Sequence, residues 1–391
     1  MGSGSLATVG EYVLPSGIKC GTFGASSIDD RRLAFGDYAG KLHITDLEDP
    51  SKPIYSVQAH ESIINACAGI GGQQVGFGAP EICTGGRDGC VRVWDPRVQE
   101  VSRFRAAPAR NNHGTHATTT TRPRPLLTRT TCGHKTHIPT QPVLSLEPEE
   151  GQTARDCWSV AFGNSFSDSE RCICAGYDNG DVKVFDLRTN SLRYETNVSN
   201  GVTCVEFDRA DIEMNKMAVT TLESKFRVYD LRTQHAESGF ASLSERAHKS
   251  TVWLARHLPQ NRDVFMTGGG ERESCLIFAK RRCCKGAQRP TLRPRIAPRR
   301  SNASFTPRSS LAGNGGFNLY KYHYPTSRVA EDKKDKAPCG VVGSVELLNS
   351  RVVSTQPMVS FDWSPDREGL GVCACLDQSL RVFIVTKLNK Y

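Results

Sequence analysis

The chain has 391 residues, 38% of them apolar and 23% charged, which is enough apolar material for a packed core. No apolar run approaches the roughly 20 residues that a membrane-spanning helix needs. The formal net charge of +9 is unevenly placed: residues 101–142 carry +7 and residues 271–312 carry +9, leaving −7 on the remainder, so the basic excess is not a property of the body of the chain.

The start, MGSGSLATVGEYVLP, has no basic stretch followed by an apolar one, and Leu6 stands where a myristoylation signal wants Ser or Thr. A soluble protein of the cytosol or nucleus is expected. Its fifteen cysteines are scattered, many within apolar segments, and read as small hydrophobes of a reducing compartment. Cys172-x-Cys174 and Cys373-x-Cys375 put two thiols on one face of a strand, but a metal site needs two further ligands. No metal and no cofactor is expected.

A segment ending in an aromatic–Asp pair recurs along the chain. It reads GDYAGKLHITD (36–46), GGRDGCVRVWD (85–95), GYDNGDVKVFD (176–186) and TLESKFRVYD (221–230), with weaker copies GNGGFNLYKY (313–322) and CLDQSLRVFIV (375–385). Each copy has a small or acidic turn followed by apolar–polar alternation at period two, the pattern of a tight hairpin feeding a half-buried strand. A short apolar strand lies upstream of most copies, as in IKCGTFG, CWSVAFG, VTCVEFD, TVWLARHLP and MVSFDWSP. Asp46 to Asp95 is 49 residues and Asp186 to Asp230 is 44, near the roughly 40–45 of one propeller blade. The two longer intervals, Asp95 to Asp186 and Asp230 to Lys321, hold the Thr/Arg/Pro-rich segments 101–142 and 271–312. These lack strand alternation and read as disordered basic insertions. The fold expected is all-β, a single propeller of six blades spanning residues 1–391. The last repeat lacks an outer strand, which Glu11–Leu14 is placed to supply.

Trp94-Asp95 is the dipeptide that names the WD repeat, replaced by Phe185-Asp186 and Tyr229-Asp230 in later copies. AHESIINA (59–66) and AHKSTVW (247–253) resemble the element that opens a blade. His60, Thr84, Asp88 and Trp94 then occupy the positions of the repeat's hydrogen-bonded tetrad, because a buried Asp without such partners costs several kcal/mol. Asp377 is the equivalent turn acid of the last copy, with Asn179 and Glu223 at that place in the middle ones. It is grouped with the blade-end acids Asp46, Asp95, Asp186 and Asp230. All of these are assigned to holding blades together, not to catalysis.

Beyond the repeat, KCGTFGASS, GIGG, GAPEICTGGRDG, RDCWSVAFGN, CAGYDNGD, TQHAESGFAS, SERAHKSTVW, RHLPQNR, STQP and VTKLNKY resemble the Monad-type family of WD-repeat proteins. That resemblance covers nearly everything outside the two insertions, which are foreign to the family pattern. The family has seven blades, and this chain begins near the end of the first. The resemblance implies a non-enzymatic co-chaperone adaptor. Its expected partners are the RuvB-like ATPase/prefoldin-like complex and dynein heavy chain clients in cytoplasmic pre-assembly of axonemal dynein, with the chain a monomer within a larger complex.

No nucleophile elbow, zinc-binding helix motif or phosphate loop is present, so the expectation is a protein-binding scaffold. Polar or aromatic residues near strand ends are the candidate partner contacts: Tyr38, Arg87, Trp158, Tyr177, Lys249 and Trp253. An alternative reading is a substrate receptor of a cullin-type ubiquitin ligase. Three copies end in aromatic-Asp-x-Arg, and Arg97, Arg188 and Arg232 would then dock an acidic adaptor surface. The basic insertions lack the interleaved aromatics that stack bases, so no nucleic-acid partner is expected, and no membrane partner either.

Overall fold

The computed structural model describes residues 13–27, 30–50, 52–70, 81–96, 141–148, 151, 153–167, 169–209, 212–235, 239–271, 314–331 and 338–390. The chain divides into two compact units, residues 1–199 with 210–214 and residues 200–209 with 215–391. It is all-β, and six of the seven antiparallel sheets among the described residues are the blades of a propeller.

The first unit holds three four-stranded meanders. They are β1 (Ile18–Thr22), β2 (Arg32–Asp37), β3 (Lys41–Asp46) and β4 (Pro53–Gln58); β5 (Ile64–Gly69), β6 (Ile82–Gly86), β7 (Val91–Trp94) and β8 (Leu144–Leu146); and β9 (Cys157–Gly163), β10 (Cys172–Tyr177), β11 (Asp181–Asp186) and β12 (Ser191–Asn197). The second strands carry small residues where the next blade packs against them. A Cβ on Gly36 would stand 2.6 Å from Ile64 on the first strand of the next blade, and one on Gly85 would stand 2.6 Å from the Cys157 sulfur. Glycine is what permits the sheets to approach so closely. The hairpin between second and third strands turns through a left-handed residue: Gly40, Gly89 and Gly180, at φ 82°, 78° and 92°. Their cores interleave Leu42, Ile44, Ile64, Ile82 and Trp94, then Cys83, Val91, Phe162, Ile173 and Tyr177.

In the second unit, β13 (Val202–Phe207), β14 (Lys216–Thr221), β15 (Lys225–His235) and β16 (Gly239–Arg246) form one blade. β17 (Val252–Leu258), β18 (Asn261–Glu271) and β19 (Asn314–His323) begin the next. The short pair β20 (Val329–Glu331) and β21 (Pro338–Gly340) intervenes before its outer strand β22 (Ser344–Ser354). The last sheet has three strands among the described residues: β23 (Met358–Trp363), β24 (Leu370–Cys375) and β25 (Leu380–Ile384). Leu254, Met266, Phe317, Phe361 and Trp363 share one core and Phe226, Phe265, Tyr320 and Tyr322 another.

The sequence repeat ends on each blade's third strand, so the first five blades draw their outer strands from the residues that follow. The insertion read at 101–142 lies between β7 and β8, and that read at 271–312 lies between β18 and β19. Both fall outside the described residues, apart from 141–142 and Glu271. β18 and β19 pair without interruption from Val264↔Lys321 to Glu271↔Asn314. The outer strand expected from Glu11–Leu14 is not seen: Val13 and Leu14 are in no strand, and Glu11 and Tyr12 lie outside the described residues.

Candidate functional site

The four residues predicted to form a tetrad in the second blade meet in one hydrogen-bonded chain. His60 Nδ1 lies 2.9 Å from Asp88 Oδ1, its Nε2 lies 2.8 Å from Thr84 Oγ1, and the Trp94 indole donates to that same hydroxyl at 3.0 Å. Arg92 ties the chain to its surroundings by donating to Asp88 at 3.1 Å and to the Ala59 carbonyl at 2.7 Å. The Asp88 carboxylate also accepts from the Cys90 amide, closing the hairpin turn. Burial pushes the Asp88 pKa up, but the His60 hydrogen bond and charge, the Cys90 amide and Arg92 together outweigh it and hold the carboxyl well below the ordinary range. A depressed carboxylate contributes stability that is fully present above about pH 4 and is lost as pH falls through the folded-state value. Asp88→Asn therefore removes part of the acid sensitivity. Its urea midpoint drops less than the wild type's between about pH 5 and pH 3, and parallel pH profiles of the two proteins contradict the assignment.

The same device recurs in altered form where the sequence did not announce it. In the fifth blade His248 Nε2 lies 2.9 Å from Thr267 Oγ1, and Asn318 donates to the Ala247 carbonyl as Arg92 does to Ala59. AHKSTVW signalled His248, but Thr267 and Asn318 stand on strands that the 272–313 interval separates. In the first blade Asp37 caps its turn by accepting from the Ala39 and Lys41 amides at 2.9 and 2.8 Å. His43 bridges Asp37 at 3.4 Å to Ser56 at 3.1 Å, so three strands are cross-braced. Asn179 and Asp377 accept from the amide two residues on, each at 3.1 Å, as Asp88 does. Asp377 thus sits in a hairpin turn and not at a blade end, and Ser379 and Arg381 hold its pKa down to about 2. Glu223 differs, accepting instead from the Asn200 side chain at 3.1 Å.

Three of the blade-end acids share one geometric role. Asp46 accepts from the Glu48 amide at 2.9 Å, Asp186 from Arg188 at 2.8 Å and Asp230 from Arg232 at 3.1 Å. Each acid thereby closes the turn into the outer strand. Asp95 is half-buried, and its charge raises the pKa of Tyr55, after burial has already done so.

One buried constellation escaped the sequence reading. The Lys216 ammonium, fully buried at the head of β14, donates to Asp208 Oδ2 at 3.3 Å, to the Arg262 carbonyl at 2.6 Å and to the Tyr324 hydroxyl at 2.8 Å. Arg262 adds a second cation 2.8 Å from the same Asp208 oxygen, and the Tyr322 and Tyr324 rings face the ammonium at 5.5 and 5.0 Å. Burial lowers the Lys216 pKa, opposed by Asp208 and Asp263, while Asp208 is held low by Lys216, His257 and Arg262 against its own burial. The signal available in sequence was a single lysine opening the run KMAVTT; Asp208 is eight residues upstream, but Arg262 and Tyr324 lie 46 and 108 residues further on.

The proposed contact residues are placed unevenly. The Tyr38 ring and the Arg87 guanidinium project from two hairpin turns, 52% and 60% exposed, and Arg87 lies 3.7 Å from Asp156. Lys249 is exposed, whereas Trp158 and Trp253 are half-buried at the second position of their blades' inner strands. Tyr177 is a correction. It is 8% exposed, packed in the core of the first unit with Lys183 over its ring, because its side of β10 is covered. Of the arginines in the ligase reading, Arg97 lies outside the described residues. Arg232 is committed to a bidentate pair with its own Asp230 at 2.8 and 2.6 Å and stacks 4.2 Å over Tyr324. Only Arg188 is exposed and free of a described ion pair.

Comparison with known proteins agrees with this architecture. The WD domain, G-beta repeat model matches residues 51–95. A chain in the crystal structure of the mitotic checkpoint complex superposes with a TM-score of 0.56 at 13% identity, covering 98% of this chain and 81% of that one, a likeness of fold alone. The dynein axonemal assembly factor 10 of Homo sapiens is 46% identical across 99% of this chain and 85% of its own length. That of Chlamydomonas reinhardtii is 46% identical across 98% and 84%, and that of Danio rerio 47% across 99% and 84%. With nearly half of all positions shared over almost its whole length, the chain belongs to the dynein axonemal assembly factor 10 family of WD-repeat proteins.

Proposed function

We propose that this chain works as one non-enzymatic propeller scaffold in the cytoplasmic pre-assembly of axonemal dynein, as a Monad-type adaptor between the RuvB-like ATPase/prefoldin-like complex and dynein heavy chains. The observation that carries the reading is the 46–47% identity to relatives named as dynein axonemal assembly factor 10 from Homo sapiens, Danio rerio and Chlamydomonas reinhardtii. The chemistry on the page supports it: the polar clusters brace strands, and turn residues such as Tyr38 and Arg87 are left to face a partner.

Affinity purification of the full chain from ciliated cells tests this, with quantitative mass spectrometry of what is recovered. Dynein heavy chains and RuvB-like ATPase subunits are expected, and the paired variant Tyr38→Ala, Arg87→Glu lowers their recovery several-fold with unchanged thermal unfolding. Absence of both classes from the wild-type eluate overturns the adaptor reading. Recovery of cullin adaptor subunits, abolished by Arg188→Glu, supports the ligase alternative in its place.

A further inference from the structure

Asparagine followed by glycine is the chain's most labile dipeptide, because no Cβ shields the glycine nitrogen from the asparagine side-chain carbonyl. The sequence has three such pairs, Asn179-Gly180, Asn200-Gly201 and Asn314-Gly315. The fold ties two of them down. Asn179 Oδ1 accepts from the Asp181 amide at 3.1 Å and its Nδ2 donates to Asp181 at 2.7 Å, while the Gly180 amide donates to the Tyr177 carbonyl. Gly315 lies within β19, opposed by Gly270 on one side and Ser354 on the other, so its peptide cannot turn without breaking the sheet. The third pair is arranged differently. The Gly201 amide donates to the Oδ1 of Asn200 itself, at 3.0 Å. Asn200 Nδ2 donates to Glu223 Oε1 at 3.1 Å, which fixes which end of the amide is oxygen. The Gly201 carbonyl accepts from the Leu222 amide at 2.9 Å. Both restraints come from the hairpin between β14 and β15, and they hold the glycine nitrogen beside the carbonyl group it would attack. A C=O bond is about 1.2 Å long, so that nitrogen stands no more than about 4.2 Å from Asn200 Cγ. A small side-chain rotation closes this to the roughly 3–3.5 Å of a near-attack geometry.

We propose that Asn200 is a site of non-enzymatic deamidation, with water as its co-reactant, and that the native fold favours it over the other two pairs. The Gly201 nitrogen gives its proton to solvent and its electron pair to Asn200 Cγ, closing a five-membered succinimide. The bond from Cγ to Nδ2 breaks, and that nitrogen takes up a proton and leaves as ammonia. Water then opens the ring at either carbonyl, giving aspartate or its isoaspartyl isomer. The net change is asparagine plus water to an acid plus ammonia. The product sets a carboxylate where an amide had donated to Glu223, so two like charges oppose each other across that contact. The isoaspartyl form also adds a methylene to the backbone directly before β13, the inner strand of the fourth blade. Asn200 thereby carries a slow, one-way mark of the age of the chain. The inference is independent of the adaptor reading.

Ageing the folded full chain in mildly alkaline buffer, with peptide mapping by mass spectrometry at intervals, provides the test. Asn200 is expected to convert several-fold faster than Asn179 or Asn314 within the same sample. The same chain aged in urea is expected to lose that preference, because the restraints from Leu222 and Glu223 are then gone. Asn200→Gln must close a six-membered ring and is expected to remove most of the acidic species that form first on isoelectric focusing. Should that variant not fold, the comparison of the three sites within the wild type still decides. Conversion at Asn200 no faster than at the other two pairs in the folded chain overturns the proposal. An ordering of the three sites that persists unchanged in urea overturns it as well, since sequence and not the fold then sets the rate.

Discussion

Replacing Lys216 by Ala is expected to cost about 3–5 kcal/mol of unfolding free energy, measured by urea denaturation of the full chain. The loss exceeds that of an ordinary surface ion pair because both the ammonium and the Asp208 carboxylate are fully buried. Removing the lysine strips Asp208 of one of its two nearby cations. It also leaves the Arg262 carbonyl and the Tyr324 hydroxyl without the donor that lies 2.6 and 2.8 Å away. Lys216→Met combined with Asp208→Leu is expected to recover part of the loss, since neither fully buried charge is then left without the other, although the partly exposed Arg262 loses its carboxylate partner. A single-variant loss under about 1 kcal/mol shows that Arg262 alone satisfies the carboxylate and that the lysine is incidental.

Trp94→Ala is expected to cost a comparable 3–5 kcal/mol, approximately the range for truncating a buried aromatic. Trp94 is among the largest fully buried side chains and fills the core between the first two blades. Its indole N–H also supplies the Thr84 hydroxyl, so truncation opens a cavity and leaves the tetrad without its terminal donor. Trp94→Phe separates the two effects. It keeps most of the apolar contact and loses the hydrogen bond, for an expected cost of about 1–2 kcal/mol. Equal losses for the two variants contradict a packing role for the ring.

How much of this was legible beforehand follows from where the chemistry sits along the chain. The third strands announced themselves because a tight turn, period-two alternation and a terminal aromatic–acid pair all fall within about ten residues. The tetrad of the second blade was readable for the same reason: its four members lie between His60 and Trp94. The fifth blade's version was not, because Thr267 and Asn318 are adjacent across β18 and β19 yet distant in sequence. Lys216 was invisible because its partners come from three other segments. The aromatic-Asp-x-Arg tetrapeptide has a local account as well. In two of the three copies its acid takes the amide two residues on to close a turn, a local need that accounts for an acid there without reference to any partner. Tyr177 looked like a strand-end aromatic, and burial of its strand on both faces made it core.

The uninterrupted pairing of β18 with β19, up to Glu271↔Asn314, works like a zip drawn shut below whatever it encloses. Whatever lies between those two residues is stapled at its root by eight opposed positions, so the sheet is indifferent to its content. Doubling the enclosed length adds only about 0.6 kcal/mol of closure entropy. The blade is in effect a cassette holder: a fluorescent domain or an epitope spliced in there is expected to leave the pairing of β18 with β19 intact.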